Sequence, residues 1–353
     1  MQNGFVDTVN VAAEEAREPF YTRAASQNLT PLWRVLGGLV TDVPRSSAVP
    51  AHWRYTDVRP YLAEACDLIS TAEAERRVLV LENPGLPGQS RITPSLFAGF
   101  QIILPGEVAP AHRHVASALR FIVEGSGAYT AVAGERTTME SGDFVITPSW
   151  TWHDHGNPSD APMVWLDGLD MHIVNLLSAS FREHWDGAVH PVVREEGSAF
   201  VETGYNLRPV DFETKSQTSP IFNYPYRQSR DALHRLSRVR DPNRWHGFKM
   251  NYINPVTGGA AMPTLTTAIR LLPKDLKTEA YRSTAGTVFS VVEGTGSVTV
   301  GDQSFDFEPR DLFVVPSWHR MTLTADTDVV LFSYSDRIVQ EKLDLFREMF
   351  GDE

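Results

Sequence analysis

Cysteine is almost missing from this sequence: Cys66 is the only one in 353 residues. An internal disulfide is excluded, and a reducing, cytoplasmic setting is expected. Long hydrophobic runs are missing too, since none reaches the roughly 18 residues that a membrane-spanning helix requires. The N-terminus, MQNGFVDTVNVAAEEAREPF, lacks a basic segment followed by an apolar stretch, so no export leader is expected. Positive charge is scarce, with 32 Lys and Arg against 44 Asp and Glu, a formal net charge of −12 and no basic cluster. That balance argues against a nucleic-acid partner. What remains, 42% hydrophobic and 22% charged residues, is ordinary globular composition, and the length suits two compact units or one duplicated core.

Residues 1–75 mix helix-friendly stretches (Val11 to Arg17, Val58 to Ala72) with a Pro-bearing loop from Pro44 to Pro50, and show no sustained period-2 alternation. They read as a helical arm. From Val78 the texture changes to short apolar runs broken by Gly, Pro, Asn and Asp, the spacing of a barrel or sandwich of short strands. An internal repeat sharpens this. FIVEGSGAYTAV at 121–132 returns as FSVVEGTGSVTV at 289–300, and SGDFVITPSWTWH at 141–153 returns as PRDLFVVPSWH at 309–319. The expected organisation is an arm (1–75), a first barrel with a metal site (76–180), a linker with helices (181–245) and a second barrel without metal ligands, ending in a helix (246–353).

In the first repeat His112 and His114 follow a predicted strand, QIILPG, and strand alternation points both imidazoles to one face. His153 follows the Pro148 turn after the next hairpin, and a closed barrel can bring it beside them. A lone His-x-His is more often a surface or core pair than a metal site; a third histidine at this spacing shifts the balance to metal binding. In the second repeat Tyr281 and Ser283 sit at or near the ligand positions and His319 is left alone, so that barrel is expected to be structural, serving assembly or closure of the first barrel.

These residues resemble the cupin superfamily. Its first motif is Gly, five residues, His-x-His, three or four residues, Glu, six residues, Gly; here Gly106, His112, His114 and Gly125 are in register and Ala118 stands in place of Glu. Its second motif is met by Gly142, Pro148, His153 and Asn157, with Trp150 in place of an inner glycine. Loss of the glutamate with three histidines retained resembles the gentisate 1,2-dioxygenase family, which includes salicylate and 1-hydroxy-2-naphthoate dioxygenases. The likeness runs through LPGEVAPAHRH, SALRFIVEG, GDFVITPSWTWHDHGN and WLDGLD, and resumes at FNYPYRQSRDAL and NYINPVTGGAAMPT.

The resemblance implies an all-β dominated bicupin, two double-stranded β-helix (jelly-roll) barrels with a helical N-terminal arm. It implies Fe(II) on His112, His114 and His153, and a ring-cleaving 1,2-dioxygenase that adds both atoms of O2. An aromatic ortho-hydroxy acid would be opened between its carboxyl- and hydroxyl-bearing carbons. Gentisate leads, with salicylate, a 5-substituted salicylate such as 5-nitrosalicylate, and 1-hydroxy-2-naphthoate as alternatives; a cupin isomerase or a small-molecule binding bicupin is the alternative of another class. An anionic bidentate acid suits a three-histidine site that keeps its full positive charge. Arg120 matches an arginine that holds the substrate carboxylate, a job that suits a guanidinium. His155 matches a histidine near substrate and oxygen, suited to proton handling. Gln101, Asp167 and Arg76 match positions near the pocket, with Arg77 as the competing register for Arg76. Phe97 and Gly99 fall where gentisate-specific members often carry Trp and Ala, so Gly99 is expected to leave room beside the ring. A homo-oligomer, a tetramer by resemblance, is expected.

Overall fold

The computed structural model describes residues 11–213 and 216–351. The chain divides into two units, Met1–Arg45 and Ser46–Glu353. The described part of the first holds α1 (Val11–Ser26) and α2 (Leu32–Leu39), whose Leu32, Trp33, Leu36 and Leu39 are exposed. In the second unit β1 (Ala51–Trp53) precedes α3 (Tyr55–Leu68) and α4 (Thr71–Ala74). Then follow β2 (Val78–Val80), β3 (Phe97–Ile103), β4 (Val108–His114), β5 (Ala118–Glu124), β6 (Ser126–Val132), β7 (Glu135–Glu140), β8 (Phe144–Thr147), β9 (His153–Gly156) and β10 (Met163–Leu169). After α5 (Met171–Leu176), β11 (Arg182–His184), α6 (Ser198–Thr203), β12 (Asn223–Tyr224) and α7 (Tyr226–Ser237) the second series begins. It comprises β13 (Phe248–Asn251), β14 (Thr266–Leu272), β15 (Tyr281–Ser283), β16 (Thr287–Glu293), β17 (Gly296–Val300), β18 (Gln303–Phe307), β19 (Leu312–Val315), β20 (Met321–Ala325), β21 (Val329–Ser335), α8 (Arg337–Lys342) and β22 (Glu348–Phe350).

The protein is a bicupin. In the first barrel a sheet ordered β12-β8-β5-β10-β3-β2 faces one ordered β11-β4-β9-β6-β7; in the second, β1-β19-β16-β21-β14-β13 faces β18-β17-β20-β15-β22. The run β8-β5-β10-β3 corresponds to β19-β16-β21-β14, so one jelly-roll unit occurs twice. Residue alternation decides which side each chain segment serves. Along β5, Leu119, Phe121 and Val123 join the large core shared with the second barrel, whereas Ile122 belongs to the first barrel's own interior. Phe121 stacks on Phe332 of β21 with ring centroids 4.2 Å apart and planes 8° apart, so the two six-stranded sheets meet back to back.

A second repeat, invisible to the motif comparison, locks the barrels together. β1 lies within residues 1–75 but pairs with β19 of the second barrel, and α3 then reaches back to the first, where Tyr55 donates to Glu124 (2.7 Å) and Arg59 pairs with it (3.0 Å). β12 pairs with β8 of the first barrel, and α7 crosses to the second, where Tyr226 donates to Glu293 and Arg230 pairs with it (2.9 Å). Each arm carries Tyr and Arg four residues apart, one helical turn, followed by a fully buried leucine, Leu62 or Leu233. Each crossing is anchored on a buried aspartate: Asp311 accepts from the Tyr55 N–H (2.8 Å) and Asp143 from the Tyr226 N–H (2.8 Å).

Strand pairing corrects one alignment. The Trp150 N–H donates to His114 O and the Trp318 N–H to Ser283 O, both at turn residues with φ near +60° (57° and 64°), so Trp318 is the counterpart of Trp150. His319 therefore takes the place of Thr151, and Met321, paired with Tyr281, takes that of His153, paired with His112. The second barrel has no histidine at any of the three positions.

Candidate metal centre

β4 and β9 are neighbouring strands with His112 opposite His153, and period-2 alternation turns His114 and His155 to the same side. The imidazole centroids of His112, His114 and His153 lie 4.3 to 5.2 Å apart, and one ring nitrogen from each falls within 4.8 Å of the others. Local carbonyls set the ring orientation. Nδ1 of His114 is 2.6 Å from Ala116 O, Nδ1 of His153 is 2.8 Å from Thr151 O, and Nδ1 of His112 is 3.3 Å from Pro110 O, each carbonyl two residues away along the chain. We assign Nδ1 as the protonated nitrogen of His114 and His153, which leaves Nε2 with a free lone pair on those two rings, whereas Nδ1 of His112 also faces the Arg76 Nη2 donor at 2.6 Å. Nε2 of His153 is buried without a hydrogen-bond partner. Burial first, and then Arg76, push His112 down to about 2; burial holds His114 at about 4 and takes His153 well below the ordinary imidazole range. Three neutral, convergent imidazoles fit a divalent metal ion, which binds only the unprotonated ring.

Beyond the triad, β5 and β10 bring Arg120 opposite Asp167. Arg120, 3% exposed, donates from Nη1 to Thr147 Oγ1 (2.6 Å), while its Nε is 3.6 Å from Asp167 Oδ1. Asp167 in turn accepts from Trp165 Nε1 (3.1 Å), and burial lifts its carboxyl to about 6 against the pull of Arg120. His155 is wholly buried, with Nδ1 2.8 Å from Thr130 Oγ1 rather than bonded to Asp154 or Asn157, and its Nε2 has no partner. Gln101, 2% exposed, pairs with Trp165 across β3 and β10. Of the two adjacent arginines, Arg76 approaches the triad, with Nη2 3.0 Å from Pro110 O and 2.6 Å from His112 Nδ1, whereas Arg77 turns to Thr71 and Glu107. Phe97 packs with Ala118 and Leu169 and is 9% exposed.

Gly99 departs from expectation. A Cβ there would lie 2.6 Å from Val78 Cγ1 and 3.2 Å from Leu79 O, so the space left by the missing side chain is filled by β2 and does not enlarge the pocket. Sequence reading missed Thr147 and Thr130, which tether Arg120 and His155. Both lie in strands facing those residues, Thr130 directly opposite His155, but their partners are distant in the chain. Trp150 and Trp152 lie outside the triad, with the Arg113 guanidinium 4.5 and 4.6 Å from their ring centroids, while Trp165 is fully buried with its ring 5.6 Å from His155.

A two-barrel cupin with a neutral three-histidine pocket beside a buried arginine is the class that fold and site define. The cupin domain family matches residues 99–169. Gentisate 1,2 dioxygenase 1 of Aquipseudomonas alcaligenes is 52% identical over 341 residues, covering 97% of this chain and 98% of that protein. The 5-aminosalicylate 1,2-dioxygenase of a Comamonas species is 37% identical, covering 92% and 87%. The crystal structure of salicylate 1,2-dioxygenase from Pseudaminobacter salicylatoxidans superposes with a TM-score of 0.90 at 33% identity, covering 95% of this chain and 98% of that one. The chain belongs to the gentisate 1,2-dioxygenase family. It is a ring-cleaving dioxygenase, an oxidoreductase, and the isomerase and binding-module alternatives are set aside. Among the described residues no helix is long and apolar enough to cross a membrane.

Proposed function

We propose that the enzyme is an Fe(II)-dependent dioxygenase that opens gentisate between its carboxyl- and hydroxyl-bearing carbons, with iron on His112, His114 and His153. The observation that carries this reading is the set of three convergent, neutral imidazoles, with Ala118 in place of a carboxylate ligand and Arg120 in the same lumen. When bound, iron supplies the redox chemistry that joins an electron-rich ring to dioxygen. Arg120, held by Thr147 and Asp167, orients the substrate carboxylate through its remaining N–H groups. His155, tethered at Nδ1, holds or passes a proton at Nε2 near the phenolic oxygen. Gln101 and Phe97 bound the ring slot, and Arg76 adds positive charge at its edge. Val78 and Gly99 close one side, which favours a single ring over the fused rings of 1-hydroxy-2-naphthoate. The two relatives acting on salicylates keep salicylate and its 5-substituted forms as secondary substrates. A cytoplasmic homo-oligomer, a tetramer, completes the reading, and gel filtration showing only monomer would remove that part.

The test is anaerobic reconstitution with ferrous iron, followed by oxygen uptake and ultraviolet spectra against gentisate, salicylate, 5-nitrosalicylate and 1-hydroxy-2-naphthoate. The expected result is uptake with a ring-opened absorbance, highest kcat/KM for gentisate, and no uptake in His112→Ala. No uptake with any of the four at full iron occupancy would sink the reading.

A further inference from the structure

The second barrel has no ligand histidines, yet its interior is not filled. A cavity of about 740 Å³ lies there, within the roughly 300–1,000 Å³ of small-molecule sites. Arg270, Lys249 and Arg337 line it with Tyr281 and Phe289. Arg337 is engaged by Glu341 (2.7 Å) and Glu348 (3.4 Å), and the Tyr281 hydroxyl by Glu348 (2.8 Å). Arg270 has no ion-pair partner among the described residues. It is 2% exposed, and its Nε and Nη1 have no hydrogen-bond partner. Among the described residues neither Arg270 nor Lys249 has a carboxylate within ion-pair distance. Burial and the neighbouring Arg270 bring Lys249 down to about 7. A buried guanidinium cannot shed its proton, so it requires a counter-anion.

The second barrel does not repeat the arginine–aspartate pair of the first, and the carboxylates of Asp241 and Glu341 that also line the cavity lie beyond ion-pair distance of Arg270 and Lys249. In the first, Arg120 on β5 faces Asp167 on β10. In the second, Phe289 and Ser333 occupy those two positions, and the cation has moved two strands over, to Arg270 at the place of Gln101. The Arg270 guanidinium carbon is 4.9 Å from the Phe289 ring centroid. The cation is kept, then, while its protein carboxylate is replaced by a small hydroxyl that also lines the cavity.

We propose that the second barrel is a binding site for a small organic carboxylate, held by Arg270 and Lys249 with its carbon skeleton against Phe289 and Tyr281. The planar fork of a guanidinium matches a carboxylate, and the cavity is too large for a simple inorganic anion to fill. The site is read without oxygen chemistry, so it stands apart from the proposed reaction. Isothermal titration of the full-length protein with benzoate and succinate, with and without ferrous iron and at matched ionic strength, tests it. Saturable binding that persists in Arg120→Lys and weakens at least about tenfold in Arg270→Gln and in Lys249→Met is expected. Arg270→Gln places in the second barrel the residue that the first already accommodates, and Lys249→Met removes the other cation independently. Binding lost in Arg120→Lys but kept in Arg270→Gln belongs to the first barrel and overturns the proposal. Heats that follow ionic strength alone, or inorganic phosphate binding as tightly as the carboxylates, overturn it too.

Discussion

Arg120 shows how much one side chain depends on the strand that carries it. Flanked by Leu119 and Phe121, which enter the core between the barrels, it is turned by alternation into the opposite, lumenal face. There it is 3% exposed, fixed at one end by Thr147 and steered by Asp167, so its remaining donors keep a set direction. A lysine in its place keeps the charge but loses the fork and the bond to Thr147. Arg120→Lys is therefore expected to raise KM for gentisate by roughly 10- to 100-fold with a smaller fall in kcat, corresponding to about 1.5–3 kcal/mol of charge-assisted bonding. Steady-state oxygen uptake separates the two, and an unchanged KM would remove Arg120 from carboxylate binding. The alternation that exposes Arg120 to the lumen was legible in ALRF. Its tether was not, because Thr147 is 27 residues away and is brought alongside only by the pairing of β5 with β8.

Among elements, the crossed arms carry the weight. β1 and β12 are only three and two residues long, too short to hold a sheet edge by backbone bonding alone. A buried aspartate beside each supplies what the strand lacks. Asp311, 1% exposed, accepts from the Tyr55 N–H (2.8 Å), from the Glu308 N–H (3.2 Å) and from His52 Nε2 (2.9 Å). Removing its carboxylate strands these donors where water is excluded. Asp311→Ala is expected to lower unfolding free energy by about 2–4 kcal/mol, read as a lower denaturant midpoint. Ring cleavage per folded molecule should persist, since Asp311 belongs to the second barrel. A change under about 0.5 kcal/mol would mean that the arm is held by Leu62, the Glu124 contacts and the β1–β19 pairing without the aspartate. Little of this could be read beforehand, because the two arms share only a tyrosine, an arginine and a leucine, and the partner of each lies in the other barrel.

For the whole molecule, acid sensitivity follows from histidines that folding keeps neutral. His246, half-buried beside Arg270 and Lys249, is held at about 3 by its partial burial and by those two cations. Its folded value lies below the unfolded one, so the stability it contributes is complete above about pH 6.5 and is lost as pH falls toward 3. Asp167 works in the opposite sense: lifted to about 6, it adds stability as pH falls from about 6 toward 4, so the total slope mixes both signs. A difference measurement isolates the imidazole. Relative to the parent, His246→Gln should flatten the dependence of unfolding free energy on pH between about 6.5 and 4 by up to about 1.4 kcal/mol per pH unit. Parallel curves would show that His246 is free to protonate in the folded protein. From its pattern alone the chain specified the duplicated barrel, the histidine triad and the absent carboxylate ligand, because strand period and motif spacing are local properties. Folding settled the rest. The choice of Arg76 over Arg77, the filling of Gly99's space by Val78, the placing of Met321 rather than His319 opposite Tyr281, and the unpaired Arg270 all depend on which strands become neighbours, and pairing between distant segments is set by how the assembled sheets close and pack.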